Sequence, residues 1–438
     1  AKMRSLVLFF GLLSLFAPLS LAQKIPQHQS YCGADAKIAP LKTSLNLTLL
    51  QVQVITRHGD RTPVDTTYSI TNRPDDVTWN CSLQEYQRPT TYPDQMVPAT
   101  GRLYRKAFIR GREYLKGNCG FGQLTSKGLQ QHHDLGQAIH DFYKPTGILN
   151  QAPVHENVFV RSTDSYRTFQ SAEANIFSVF PPETYPDEIV INTLDSETEN
   201  MYDNTHICPY ISDLHKQRES TPIYQNEQKA LEPLRKQVAE LGYFNGDPEQ
   251  VSLGALADTC NSRRCHNFPL LPGITQEMFL EMWVSDEWEN WYVYSDRSRA
   301  SWYIGSFFEE LLINMEKCAD NATQGSKCLP GYFMFSGHDS TFYPLLAVLE
   351  VVNLNYPPYA SHLEMELWQE DKSGDLYVRI SHNGVEINAY NCSDGSDGSY
   401  LCPYNDFYNS AQQYFPPSDY LEQCQELASS VKRERKLR

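Results

Sequence analysis

Beyond its first 22 residues the chain has no apolar stretch approaching the ~18 residues that a membrane-spanning helix needs. Its C-terminal run from Lys432 to Arg438 lacks the hydrophobic tail of a lipid-anchor signal. A soluble product without a stable membrane anchor is therefore expected. Positive charge is also scarce: 37 Lys and Arg stand against 53 Asp and Glu, a formal charge of −16. That balance disfavours nucleic acid and anionic membranes as partners, so any anion site must be a local concentration of cations. There is no internal repeat or low-complexity tract, so neither a repeat array nor a disordered segment organises the chain. Metal-ligand spacing is missing as well. His132, His133 and Asp134 lie along one helix without a partner pair, and Cys260, Cys265 and His266 are better explained by an extracellular disulfide. No metal or other cofactor is expected.

What is present fits a globular protein with a sizeable core: 41% hydrophobic and 21% charged residues. A length of 438 residues suits either two or three average domains or one large α/β enzyme with an inserted cap. Lys2 and Arg4, the apolar run from Leu6 to Leu21 and the small residues of Ser20-Leu21-Ala22 read as a signal peptide over residues 1–22. Export implies an oxidising compartment, in which most of the eleven cysteines pair and one is left over. Cys260 with Cys265, Cys318 with Cys328 and Cys392 with Cys402 are near enough for local loops, although spacing alone leaves connectivity open. Four N-glycosylation acceptors, Asn46, Asn80, Asn321 and Asn391, agree with export.

Along the chain a strand, a polar loop and a helix recur. Residues 46 to 56 read as a buried strand that stops at Arg57. A helix capped by Thr125 or Ser126 runs to Phe142. Residues 157 to 161 form a strand, after which Ser162-Thr163-Asp164 caps a helix towards Phe180. Residues 331 to 335 form a third strand, turning through Ser336 to Asp339 into an apolar helix from Ser340 to Val351. Residues 363–369 and 376–381 suit a hairpin. The Pro- and Tyr-rich stretch over about 65–150 and the polar, helical stretch over about 195–300 look like cap segments inserted in the α/β core. The architecture expected is a central, mostly parallel sheet flanked by helices, with a mainly helical cap and a site where the three strand ends converge.

The most informative string is RHGDRTP, residues 57–63, directly after the first strand. It sets a histidine between two guanidiniums, with a glycine to admit a ligand. Phosphoryl transfer needs an in-line nucleophile and fixed positive charge around three equatorial oxygens, and arginine has the donor geometry for that charge. RHGDRTP resembles the signature of the histidine phosphatase superfamily, and its RHGxRxP form resembles the histidine acid phosphatase branch. VRSTDSYRT at 160–168 and SGHDST at 336–341 are similar to that family's second arginine segment and its HD motif, in matching order. GQLTSKGLQQHHDLG at 122–136 is similar to a further family helix.

The resemblance implies an acid phosphatase that hydrolyses phosphate monoesters through a phosphohistidine. His58 would be the nucleophile and Asp339 the proton donor, with Arg57, Arg61, Arg161 and His338 around the phosphate. Arg167, three residues after Asp164 in the helix, reads by its position as support for that carboxylate. Asp60 is left without a role. The three guanidiniums oppose a second proton on His58 and so keep it nucleophilic in acid. For Asp339 they pull the other way, against the proton it must donate. A phytase, a lysophosphatidate phosphatase, a phosphorylated-sugar phosphatase, a protein phosphatase and a catalytically inactive binding or signalling protein are the alternatives. A homodimer is compatible with the resemblance, as are secretion and delivery to the lumen of the endolysosomal pathway.

Overall fold

The computed structural model describes residues 31–64, 76–81, 86–87, 104–105, 115–181, 189–351, 356–393, 395 and 398–437. The expected signal peptide and most of residues 65–114 lie outside them. Strand β1 (Leu47–Arg57) is buried at every position from Gln51 onward, as expected of a strand covered on both faces. Alternate side chains go to opposite faces. Val52 and Val54 share a core with Leu135 and Ile139 of α1 (Ser126–Tyr143) and Ile176 of α2 (Tyr166–Val179). Ile55 joins the opposite core, in which Phe307, Phe308, Leu311 and Leu312 of a 27-residue helix, Arg297–Thr323, are fully buried. Each such side chain contributes ~1.5–3 kcal/mol by leaving water.

The other strands of this sheet are β2 (Val158–Ser162), β3 (Ile191–Asn192), β4 (Tyr332–Gly337), β5 (His362–Glu370), β6 (Leu376–His382), β7 (Val385–Ile387) and β8 (Cys402–Pro403). They pair in the order β8-β6-β5-β1-β4-β2-β3, with β7 on β6. The sheet is mixed. From β1 through β4 and β2 to β3 the neighbours are parallel, whereas β5 and the strands beyond it, starting from the expected hairpin, are antiparallel.

Part of the stretch expected to be inserted belongs to the core, since α1 packs directly on the sheet. A separate core, with Leu234, Leu256, Phe279 and Trp283, is built by three helices, Glu232–Glu240, α3 (Leu253–Cys265) and α4 (Gln276–Tyr294), which follow the helix Pro222–Ala230. Cys318–Cys328 and Cys392–Cys402 pair as expected, but Cys265 is bonded to Cys32, 233 residues away, and Cys260 is the buried free thiol. Cys81–Cys119 and Cys208–Cys424 complete the set. Asn46, Asn80 and Asn391 are exposed and Asn321 is partly so. No helix among the described residues is long and apolar enough to cross a membrane.

Candidate active site

The carboxyl ends of β1, β4 and β2 lie side by side, because Arg57 is in register with Gly337 and Ser162 with Ser336. From β1 the chain enters the 57–63 loop, which is fixed from beneath by α1 and α2. Gly59 donates to Ser171 Oγ at 3.1 Å, and Asp60 N–H donates to Gln131 Oε1 at 2.8 Å. Gly59 was expected to make room for a ligand, but its role here is packing: a Cβ on it would sit 2.3 Å from the Gly128 carbonyl oxygen. Asp60 accepts hydrogen bonds from Thr125 Oγ1 and His266 Nε2, both at 2.6 Å, and so ties the loop to the start of α1 and the end of α3.

His58 is 2% exposed, and its Nδ1 lies 2.8 Å from the carbonyl oxygen of Gly59. A carbonyl only accepts, so Nδ1 carries the proton and Nε2 keeps its lone pair. Burial first, then the charges of Arg167, Arg57 and Arg61, hold this imidazole well below its usual range, leaving it neutral in acid.

Three guanidiniums surround it. Arg57 Nη2 donates to Asp339 Oδ2 at 2.8 Å and to the Tyr31 hydroxyl at 3.2 Å. Arg61 makes a two-pronged contact with Asp258 of α3 at 3.1 and 2.9 Å. Arg167, in the first turn of α2, has no carboxylate partner among the described residues, and burial followed by the charge of Arg61 pushes its pKa down to about 10. The Nε atoms of Arg57, Arg61 and Arg167 are all buried without a hydrogen-bond partner among the described residues. Orphaned cationic donors of this kind are costly unless a ligand meets them.

His338 lies between β4 and the helix α5 (Asp339–Val348), with its ring 5.6 Å from that of His58. Arg167 Nη2 can only donate to His338 Nδ1, at 3.3 Å, so the ring proton is on Nε2. That proton goes to Thr163 Oγ1 at 2.9 Å, and Thr163 in turn bonds Thr168 Oγ1 at 2.8 Å. Burial and Arg167 lower the pKa of His338 to about 3, so it is neutral here. Burial alone would raise that of Asp339, but Arg57, Arg61 and His338 outweigh it and hold the carboxyl well below the usual carboxylate range. A cavity of about 340 Å³ opens on Arg167, His338 and Asp339, with Thr163, Asp164, Ser165, Tyr202 and Ser340 also on its wall.

Arg161 is not among them. β2 continues to Ser162, so Arg161 lies inside the strand and its side chain is committed to one sheet face. There it pairs with Glu199 at 2.5 Å and Glu310 at 2.7 Å and bonds Asn200, and only its Nε is orphaned. Arg167, expected only to support Asp164, takes the place by the pocket instead. Asp258 and the tyrosines 31, 356 and 359 were missed, because they come from outside the motifs. Tyr359 lies under both Arg57 and Arg61, at 4.6 and 5.8 Å.

Residues 48–383 match the family model described as histidine phosphatase superfamily (branch 2). The chain is 33% identical to "Counting factor 60" of Dictyostelium discoideum, over 97% of this chain and 98% of that one. It is 28% identical to human "Lysophosphatidic acid phosphatase type 6" over 88% of each. Among solved structures the phytase of Klebsiella sp. ASR1 superimposes with a TM-score of 0.57 at 16% identity, over 86% of this chain and 99% of that one.

Proposed function

As the chain belongs to branch 2 of the histidine phosphatase superfamily and is a phosphoric monoester hydrolase, we propose that it works by two-step transfer through a phosphohistidine on His58. In the first step the Nε2 lone pair attacks phosphorus in line, the ester P–O bond breaks, and Asp339 gives its proton to the departing oxygen. Nδ1 keeps its proton throughout, held by the Gly59 carbonyl. In the second step water attacks, Asp339 takes back a proton, the P–N bond breaks and orthophosphate leaves. The uncommitted Nε donors of Arg57, Arg61 and Arg167 serve the equatorial oxygens. These three unpartnered Nε donors around a neutral, tautomer-fixed histidine are the observation that carries the reading.

Asp339 is an anion in the free site, and a phosphate dianion beside it opposes the arginine field and draws a proton onto it, which favours acid operation. The four-helix segment over 222–294 would shape the leaving-group side. The signal-like leader, five disulfides and four glycosylation acceptors support an exported or endolysosomal protein. The test is hydrolysis of a chromogenic phosphate monoester from about pH 3 to pH 8 with chelator present. Turnover should peak below neutrality and fall by ~10⁴-fold or more in His58→Ala. A parent protein inert towards a panel of monoesters would sink the proposal.

A further inference from the structure

The Asp339 carboxylate is held by more than its ion pair. Oδ1 accepts the backbone N–H of Ser340 at 2.9 Å, while Oδ2 accepts both Arg57 Nη2 at 2.8 Å and the hydroxyl of Tyr356 at 2.9 Å. Tyr356 belongs to none of the three strand ends; it lies in the segment before β5. Its placement is nevertheless determined. Its backbone N–H donates to Glu287 Oε1 of α4 at 3.0 Å, its ring stacks on Trp283 at 5.0 Å, and the rings of Tyr31 and Tyr343 meet it edge-on at 5.2 and 5.6 Å. The same ring lies 5.2 Å from the Arg57 guanidinium. Among the described residues the phenol donates to this carboxylate alone.

We propose that Tyr356 is a positioning residue for the proton donor, anchoring Asp339 Oδ2 beside Arg57 and stabilising the ionised carboxylate until substrate arrives. The inference rests on the reading of Asp339 as the acid. Other groups act on the same carboxylate from every side: Arg57 and Arg61 after β1, Arg167 on α2, His338 before it, and the phenols of Tyr31 and Tyr343. Asp258 of α3 brings like charge nearby, and the carboxyl of Asp286 on α4 faces the same group. Asp286 is pushed up to about 8, by burial first and then by neighbouring carboxylates, so it is uncharged across the acid range. Burial and then Asp339 raise the Tyr356 phenol well above its ordinary value, so it remains a donor throughout.

The sign follows from the donor's task. Asp339 must be protonated to donate, so turnover falls as pH rises through its ionisation in the substrate complex. The Tyr356 hydrogen bond favours the anion, and removing it lets the proton stay to higher pH. Tyr356→Phe keeps the ring and its stacking. With an alkyl phosphate, whose leaving oxygen needs a proton, the high-pH limb of kcat should move up by about one unit. With p-nitrophenyl phosphate, a better leaving group, the limb should move less. An unmoved limb with the alkyl phosphate, or a rate lowered equally at all pH values as expected for Tyr356→Leu with its lost packing, would overturn the role. The reading beneath it is tested separately: Asp339→Asn should lose alkyl phosphate turnover whatever Tyr356 does, and full retention would remove Asp339 as the acid.

Discussion

Arg379 on β6 and Arg167 on α2 are both largely buried guanidiniums, the first in the antiparallel half of the sheet and the second at the ends of the parallel strands, and their surroundings differ in one respect. Every nitrogen of Arg379 is occupied: Nε by Glu386 at 3.1 Å, Nη1 by both oxygens of Glu366 at 3.0 and 2.9 Å, and Nη2 by the Ala39 carbonyl at 2.6 Å. Glu366 in turn accepts from the Tyr143 hydroxyl and Trp368 Nε1. Arg167 has only the lone pair of His338, and its Nε points at nothing among the described residues. Buried charge by itself therefore says little about function. A closed network holds the antiparallel half of the sheet together, whereas the open one at the ends of the parallel strands is short of an anion.

Breaking the closed side should cost stability and spare chemistry. Arg379→Met leaves the Glu366 carboxylate buried without its cation, which should cost about 3–5 kcal/mol in denaturant unfolding, with KM unchanged in the protein that remains folded. Breaking the open side should do the reverse. Arg167→Ala should lower kcat/KM by about 10²–10³-fold, as expected for one lost donor to the transferring group, with Tm held or raised because a crowded cation is gone. Arg161→Met belongs with Arg379: it strands Glu199, so Tm should drop while phosphate affinity is kept. If Arg161→Met weakened phosphate binding and left Tm alone, the ion pairs of Arg161 with Glu199 and Glu310 would not mark it as structural.

Much of this was legible in the sequence, for reasons that can be named. β1 announced itself by apolar residues too dense for a half-exposed strand, Thr125 caps α1 with its side chain, and the 57–63 and 336–341 segments start on the last residues of strands. Within the stretch over 195–300 expected to be helical, the break between Pro222–Ala230 and Glu232–Glu240 is marked by Pro233, in the first turn of the second helix. The long helix Arg297–Thr323 was passed over although Ile304, Phe307, Phe308, Leu311, Leu312 and Met315 recur at three- and four-residue spacing. Arg161 was misassigned because β2 runs one residue further than its apolar heart suggests, and that residue decides whether a side chain faces the sheet or the pocket. The Cys32–Cys265 bond and the contacts of Asp258 and Tyr356 carry no local pattern at all, since tertiary folding alone brings them to the site.

Arg61 stands between the two cases, which makes Asp258 the sharpest probe of the contrast. Both Nη atoms of Arg61 are held by a carboxylate whose side chain is 17% exposed, while Nε is orphaned. Asp258→Asn keeps the shape and withdraws the charge, with two opposed consequences. An unclamped guanidinium must be re-ordered each time phosphate binds, which weakens affinity; the loss of a nearby anion strengthens it. Asp258 retains contact with solvent and meets Arg61 at the guanidinium end remote from the free Nε, so its repulsion on the phosphate is the more screened effect. Ordering a long side chain costs about 1–2 kcal/mol, and KM and the inhibition constant for orthophosphate should therefore both rise about tenfold, with kcat changing less. Tighter orthophosphate binding instead would make Asp258 a competitor for Arg61 rather than its brace, and would move Arg61 wholly into the open network.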